Sequence, residues 1–544
     1  MQTIDPTPLI LWNPPDDRAE QDCACADPDL APALLWTPPD DRAEDDCACP
    51  DHGLAPSLTA SFNPATRWRR PSHLHRAPLP GEHELTFNPT GRAGVVVLNQ
   101  PARQILDAFT APRTPAQAVA ILPDLAPERV RRAAHQLAAL DLLAPIPNIQ
   151  HLHSRRSAAQ VQVYPISNPA SLRSGDYSTQ YPIPNPPHTL TAWLHVTDAC
   201  NLRCAYCYVD KSGEAMDETT GRTAVEAVFR SAARHQFRAV KLKYAGGEPL
   251  LNFGLVQALH EHARRLADQG GLSLREVLLS NGAALSDTAL DWFGESGVRL
   301  MISLDGVGAA HDAQRSFANG QGSFEHVARG IDRALARGVR PYLSLTVTDQ
   351  NADHLVDAVA FALDRGLLFN LNFYRQNDLA PPRAALQAKD RRLIAGVRRA
   401  FAVIEARQPR QSLIGALVDR ASFGAPHNHA CGAGRNYLVI DQRGRISRCQ
   451  MEMERPVTDV WAGDPLVVVR ADRTGFQNLP AEDKEGCRGC SWRTWCAGGC
   501  PLLTHRVTGR DDVKSPYCDV YRALLPQALR LEGLRLLKWR SPAA

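Results

Sequence analysis

Cys200-Asn201-Leu202-Arg203-Cys204-Ala205-Tyr206-Cys207 follows directly on an apolar run, Thr189 to Val196, and its reading governs the rest of the chain. The run has the length and composition of a buried strand, so the cysteines sit on the loop that leaves it. Three thiolates on one loop at this spacing can hold three corners of a [4Fe–4S] cubane and leave the fourth iron open to a chelating ligand. Zinc is the alternative reading. It would normally find a fourth Cys or His nearby, and none follows at finger spacing.

Downstream, strand-like runs alternate with helical stretches. Val240 to Tyr244 leads into Gly246-Gly247-Glu248-Pro249, Glu276 to Leu279 into Ser280-Asn281-Gly282, and Arg299 to Ser303 into Leu304-Asp305-Gly306. Further runs cover about 341–347 and 369–373. With the first run this makes six βα units, which predicts a parallel sheet with helices outside it. Glycine and polar residues gather just past the strand ends, where barrel-type sheets place their chemistry.

Together these motifs resemble the radical S-adenosylmethionine (SAM) enzymes that carry a C-terminal SPASM extension, over about residues 189–522. The resemblance implies an α/β fold, with a partial (β/α)6 radical SAM barrel at 189–400, a bridging region at 401–430 and an iron–sulfur SPASM domain at 431–522. It implies that Cys200, Cys204 and Cys207 hold the cluster whose open iron SAM chelates. Gly246, Gly247, Glu248 and Pro249 then lie against the SAM amino group, while Ser280, Asn281, Ser303 and Asp305 line the nucleoside and methionine. Tyr206 takes an aromatic position near the adenine, and Arg315 is a candidate partner for the SAM carboxylate. The implied chemistry is one-electron cleavage of the sulfonium to a 5′-deoxyadenosyl radical, which abstracts hydrogen from an unactivated C–H.

Seven further cysteines run as Cys431-x12-Gly444-x4-Cys449, then Cys487-x2-Cys490-x5-Cys496-x3-Cys500, then Cys518. By position in the SPASM pattern, Cys487, Cys490, Cys496 and Cys518 form one auxiliary [4Fe–4S] cluster and Cys431, Cys449 and Cys500 hold another, making three clusters in all. The sulfatase-maturing branch supplies one more Cys just upstream, where this chain has His427 and His429 and no thiol. The second auxiliary cluster is left with an open iron, or takes one of these histidines or a substrate thiolate. A double zinc ribbon is the alternative for the array taken alone.

The N-terminal part reads differently. Residues 1–60 hold 13 Asp/Glu against 2 Arg, and the rest of the chain 59 Lys/Arg against 45 Asp/Glu, so an acidic arm precedes a basic body. Residues 9–56 are a tandem duplication of period 24: Leu11-Trp12 recurs at Leu35-Trp36, and Cys23-Ala24-Cys25 at Cys47-Ala48-Cys49. Rich in Pro and Asp, the arm predicts disorder. Metal binding by its four thiols and a role as a fused, substrate-like peptide are the two sharper readings.

Residues 79–147 predict a β-hairpin and three helices, a small winged-helix-like domain. It resembles the leader-peptide recognition element, the domain type of the pyrroloquinoline-quinone chaperone; by analogy, such domains add a peptide strand to a sheet edge. A linker at 148–188 and an amphipathic helix at 523–544 complete the expected organisation.

The resulting expectation is an enzyme: a radical SAM peptide maturase that installs a cross-link, thioether first or carbon–carbon, in a ribosomally made precursor bearing a leader. A flavodoxin- or ferredoxin-type protein would donate electrons. The alternatives are sulfatase-maturase-like oxidation of Cys or Ser on a protein, and a DNA-binding redox regulator. Lys and Arg form no single stripe, so nucleic acid is not the expected partner. No run approaches the ~18 consecutive apolar residues of a membrane span, and no signal peptide opens the chain, so a cytoplasmic protein is expected.

Overall fold

The computed structural model describes residues 9–12, 33–34, 64–146 except 92, 189–377, 386 and 390–539 except 425. The arm's cysteines and the 148–188 linker lie outside the described residues. Those residues form two compact units, one up to Ile146 and one from Thr189 onward.

The first unit contains strands β1 (Ile10–Trp12), β2 (Ala33–Leu34), β3 (Trp68–Arg69), β4 (His75–Leu79), β5 (His83–Phe87) and β6 (Val96–Leu98). Helices α1 (Gln100–Ala108), α2 (Pro115–Ala120) and α3 (Pro127–Ala139) follow, then β7 (Ala144–Pro145), which pairs with β3. An antiparallel sheet runs in the order β2-β1-β6-β5-β4. Asn99 caps α1 by accepting from the Ala102 N–H, with Pro101 in the first turn. Thr114 and Gln117 cap α2 reciprocally, which satisfies donors the helix start would otherwise leave unpaired. Ile105, Leu106, Phe109, Val130 and Leu137 pack with Val96 and Leu98 into one core.

Two features differ from the sequence expectation. Strand β3 and most of β4 lie upstream of residue 79, so this domain takes in residues before the expected start. And Ile10–Trp12, expected to belong to an unstructured arm, form a strand against β6. An exposed sheet edge presents a row of unpaired backbone groups, and the arm covers this one.

The second unit is built on six parallel strands: β8 (Thr189–His195), β9 (Ala239–Ala245), β10 (Ser273–Ser280), β11 (Arg299–Ser303), β12 (Tyr342–Val347) and β13 (Phe369–Phe373). They neighbour one another in chain order, with no switch point. Between them run α4 (Glu218–Arg234), α5 (Phe253–Gly270), α6 (Asp287–Ser296), the single turn α7 (Ala309–Asp312), α8 (Phe324–Ala336) and α9 (Leu355–Asp364), and α10 (Asp390–Arg407) follows β13. The strands of β8 and β9 are buried along their whole length, as a sheet covered on both faces requires.

The C-terminal segment does not form a sheet of its own. Strand β14 (Tyr437–Ile440) pairs parallel to β8, and β15 (Arg445–Ser447) and β16 (Thr458–Asp459) extend the same sheet antiparallel. Helices α11 (Pro465–Ala471), α12 (Arg493–Cys496), α13 (Pro501–Thr508) and α14 (Cys518–Lys538) complete it. No described helix is long and apolar enough to cross a membrane.

Candidate active site

Two loops, each at the C-terminal end of a strand, are fastened to each other by backbone. The Gly247 N–H donates to the Thr197 carbonyl at 2.7 Å and the Glu248 N–H to that of Ala199 at 2.8 Å. This approach leaves no room for a side chain. A Cβ on Gly246 would lie 2.4 Å from the Thr197 oxygen, and one on Gly247 2.3 Å from that of Ala199. The glycines thus set the start of the loop that carries Cys200, Cys204 and Cys207.

Glu248 is wholly buried. Its carboxylate accepts from the Asn281 N–H at 2.7 Å, the Ser280 hydroxyl at 2.9 Å and the Leu250 N–H at 3.1 Å. Burial outweighs these donors and pushes its pKa up to about 7. Pro249 is buried and begins the short turn Pro249–Asn252. Asn281 also reaches Asn201 at 2.7 Å and the Cys200 sulfur at 3.8 Å, which ties the end of β10 to the cysteine loop.

A second knot joins the loop to β11. The Tyr206 hydroxyl donates to Asp305 Oδ2 at 2.5 Å, the Arg315 guanidinium donates to the Tyr206 hydroxyl, and Arg315 lies 3.5 Å from the same carboxylate oxygen. Asp305 Oδ1 accepts from the Thr346 N–H at 2.8 Å, so both its oxygens are engaged by the protein. Arg315 Nε is buried without a hydrogen-bond partner, a donor left over for something else. Ser303 is half-buried at the end of β11.

Burial raises the pKa of the Cys204 thiol to about 11, with Arg315 opposing and Cys207, Asp305 and Cys200 adding to the rise. The C-terminal thiols lie in two neighbourhoods. Cys449 is pushed up to about 12 by burial, with Cys500 and Cys431 close enough to add to it. Cys496 rises likewise to about 12, with Cys487, Cys490 and Cys518 around it. Cys500 stands apart: burial would raise it, but Arg375 and Arg420 hold it lowered. His429 is depressed to about 3 by burial, with Arg435, Lys484 and His427 adding to it, so its imidazole is neutral. Among the described residues no set of three Cys, His, Asp or Glu converges on the position of a single metal ion. The described cysteines form no disulfides, and a thiolate donor set of this kind fits an iron–sulfur cluster.

Several residues of this region escaped the sequence reading. Arg375, just beyond β13, is paired with Asp419 at 2.6 Å beside Cys500. Its place after a strand end was the available signal; Asp419 and Arg420 carried none. Tyr208 is half-buried and within electrostatic range of both Cys207 and Cys449. Asp198 holds His195 at 2.8 Å and Ser212 and Gln442 at 2.8 Å each, which braces the loop from behind.

A family profile described as the radical SAM superfamily matches residues 194–362. The chain is 30% identical over 271 residues to a GTP 3′,8-cyclase of Pseudomonas entomophila, covering 47% of this chain and 77% of that protein. It is 26% identical over 388 residues to a pre-heme d1 synthase of Dinoroseobacter shibae, covering 64% of this chain and 90% of that one. Among solved structures, anSMEcpe with bound AdoMet aligns with a TM-score of 0.54 at 17% identity, covering 64% of this chain and 99% of its own. That likeness is one of fold.

Proposed function

The chain belongs to the radical SAM superfamily and is an enzyme with a [4Fe–4S] cluster and SAM as cofactors; from that premise we propose that it is a maturase of peptides, installing a cross-link with a thioether as the first candidate. When bound, the reduced cluster and SAM supply a carbon radical that removes one hydrogen from a substrate C–H. Cys200, Cys204 and Cys207 would hold that cluster. The Gly246–Glu248 backbone and the Glu248 carboxylate would meet the SAM ammonium, which favours the ionised carboxylate that burial opposes. Arg315 offers its spare Nε to the SAM carboxylate, oriented by Asp305 and Tyr206. Cys487, Cys490, Cys496 and Cys518, and separately Cys431, Cys449 and Cys500, would hold auxiliary clusters, with His427 or His429 near the second. Arg375 and Arg420 stabilise a thiolate at Cys500.

The observation that supports a peptide substrate is the antiparallel pairing of an extended segment with β6 in the first unit. A sheet that accepts such a strand recognises a peptide mainly through its backbone, and so suits a leader. Across a solved structure of the same fold, anSMEcpe is held with AdoMet and a Cp18Cys peptide. Overall, a thiol and a C–H on the peptide would be joined while SAM becomes 5′-deoxyadenosine and methionine and one proton is released.

Anaerobic incubation of the reduced, cluster-loaded protein with SAM tests the reading. It should yield 5′-deoxyadenosine, and with a precursor peptide a product lighter by two hydrogens and short of one alkylatable thiol. Absence of 5′-deoxyadenosine from fully loaded protein would overturn it.

A further inference from the structure

The segment on β6 is not a stranger to the chain: it is the chain's own arm. Ile10, Leu11 and Trp12 pair antiparallel with Leu98, Val97 and Val96. The register is fastened at its end by Asn99, whose N–H donates to the Leu9 carbonyl at 3.2 Å and whose Oδ1 accepts the Leu9 N–H at 2.9 Å. Ile10 and Trp12 enter the core beside Val96, Leu98, Ile105 and Leu106, while Leu11, on the other face, is completely buried. Without β1 and β2, the remaining sheet β6-β5-β4 would have β6 as an open edge.

Three observations make this strand look like a ligand rather than a fixed part of the fold. It is only three residues long and separated from its partner in sequence by more than 80 residues. Its Trp12 Nε1 is buried without a hydrogen-bond partner, so the fit is imperfect. And the same segment is written twice: Pro8-Leu9-Ile10-Leu11-Trp12-Asn13-Pro14 recurs as Pro32-Ala33-Leu34-Leu35-Trp36-Thr37-Pro38. Ala33 and Leu34 of the second copy already lie in the sheet, one strand further out, paired with Trp12 and Leu11.

We propose that the β6 edge is a binding site for an extended peptide of the pattern aliphatic–Leu–Trp, and that the arm's cassettes are tethered, interchangeable ligands for it, which an incoming peptide must displace. The proposal rests on the peptide-maturase reading for its purpose, but its physics stands on the sheet alone. A tether holds its ligand at an effective concentration of order millimolar, so a free peptide of the same sequence competes poorly until both copies are disabled. Asn99 faces the arm with its backbone, and alternation turns Val97 the same way. A proline at position 11 removes the donor opposite Val97, and a proline at position 35 does the same for the second copy.

The test uses the full chain and a fluorescent peptide of residues 7–18, which carries no cysteine. Its affinity, read by anisotropy, should rise at least about tenfold from wild type to the Leu11→Pro/Leu35→Pro variant. The same peptide carrying Leu11→Pro should not bind the variant. Hydrogen exchange should show the Val97 amide losing protection in the variant, β4 and β5 keeping theirs, and added peptide restoring Val97. Equal affinity for wild type and variant, or equal binding of the proline peptide, overturns the proposal. The 5′-deoxyadenosine assay on wild-type protein is independent: a negative there defeats the enzymatic reading and leaves the strand result standing.

Discussion

A methyl group at Gly247 would meet two backbone carbonyls, of Ala199 and Asp198, at 2.3 and 2.5 Å. Backbone cannot swing aside as a side chain can, so Gly247→Ala must push the cysteine loop away from β9. The expected outcome is a loss of roughly 2–4 kcal/mol, of the size seen for overpacked or strained sites, with reduced iron at the loop cluster. Thermal unfolding and iron analysis of the reconstituted variant check it. At Glu248 the residue-level question is one of protons. Its folded pKa of about 7 lies above the ordinary carboxylate value. The native state therefore holds this proton more tightly than the unfolded chain, and its contribution to stability, full at low pH, is lost as pH rises through 7. SAM binding has the opposite sign, because the ammonium needs the ionised form. SAM affinity of the wild type should strengthen as pH rises from 6 to 8, and Glu248→Gln should be weaker by at least about tenfold and flat over that range. Calorimetric titration at several pH values reads both. A wild-type affinity that does not change with pH would remove Glu248 from contact with the ammonium.

Helix α14 shows how an element that carries one of the C-terminal cysteines can also be structural. It begins at Cys518 and buries Leu524, Leu525, Leu529 and Leu536. Within it Glu532 and Arg535, each only 4% exposed at the side chain, form a two-point ion pair at 2.6 and 3.0 Å. Ser412 donates to Glu532 at 3.0 Å, and Arg535 donates to the Arg410 carbonyl at 2.9 Å, so the pair sews the helix to the segment after α10. Removing one partner strands the other: Glu532→Ala should cost about 3–5 kcal/mol, while Glu532→Leu/Arg535→Leu should recover most of it. Denaturant titration of both variants decides whether charge pairing or packing holds the helix. The sequence indicated a helix here, from 523 rather than Cys518, and Leu525 and Leu529 of its buried face. Leu534 and Leu537, which share the same spacing, are only half-buried. The ion pair was not legible, since a Glu-x2-Arg step on a helix usually faces water. Strand β1 was illegible for a related reason. Three residues bracketed by prolines carry no periodicity, and only the distant β6 gives them a partner. Strands β9, β10 and β11 were legible because each is a run rich in apolar residues closed by Gly, Ser or Asn, a purely local pattern.

At the scale of the whole molecule, the sheet links chemistry that the sequence presents as separate. The loop of Cys200, Cys204 and Cys207 leaves β8, and the hairpin β14–β15 beside it has Cys431 before its first strand and Cys449 after its second. Nothing in either stretch alone announces this pairing, because parallel neighbours more than 200 residues apart leave no local trace. The shared sheet fixes the two thiol groups with respect to each other, and Tyr208 is within electrostatic range of both Cys207 and Cys449. If each group holds its own cluster, the groups should be lost independently. Reconstituted wild type should then carry about twelve irons, at about four per cubane. Replacing Cys200, Cys204 and Cys207 by Ala should remove about four and abolish 5′-deoxyadenosine formation; replacing Cys487 and Cys490 should remove a different four, with the loop cluster still reducible. Iron and sulfide analysis with electron paramagnetic resonance distinguishes the two losses. Iron that falls only with the loop variant, with zinc found in the C-terminal groups, would make that region a zinc-bound scaffold and confine the redox chemistry to the loop after β8.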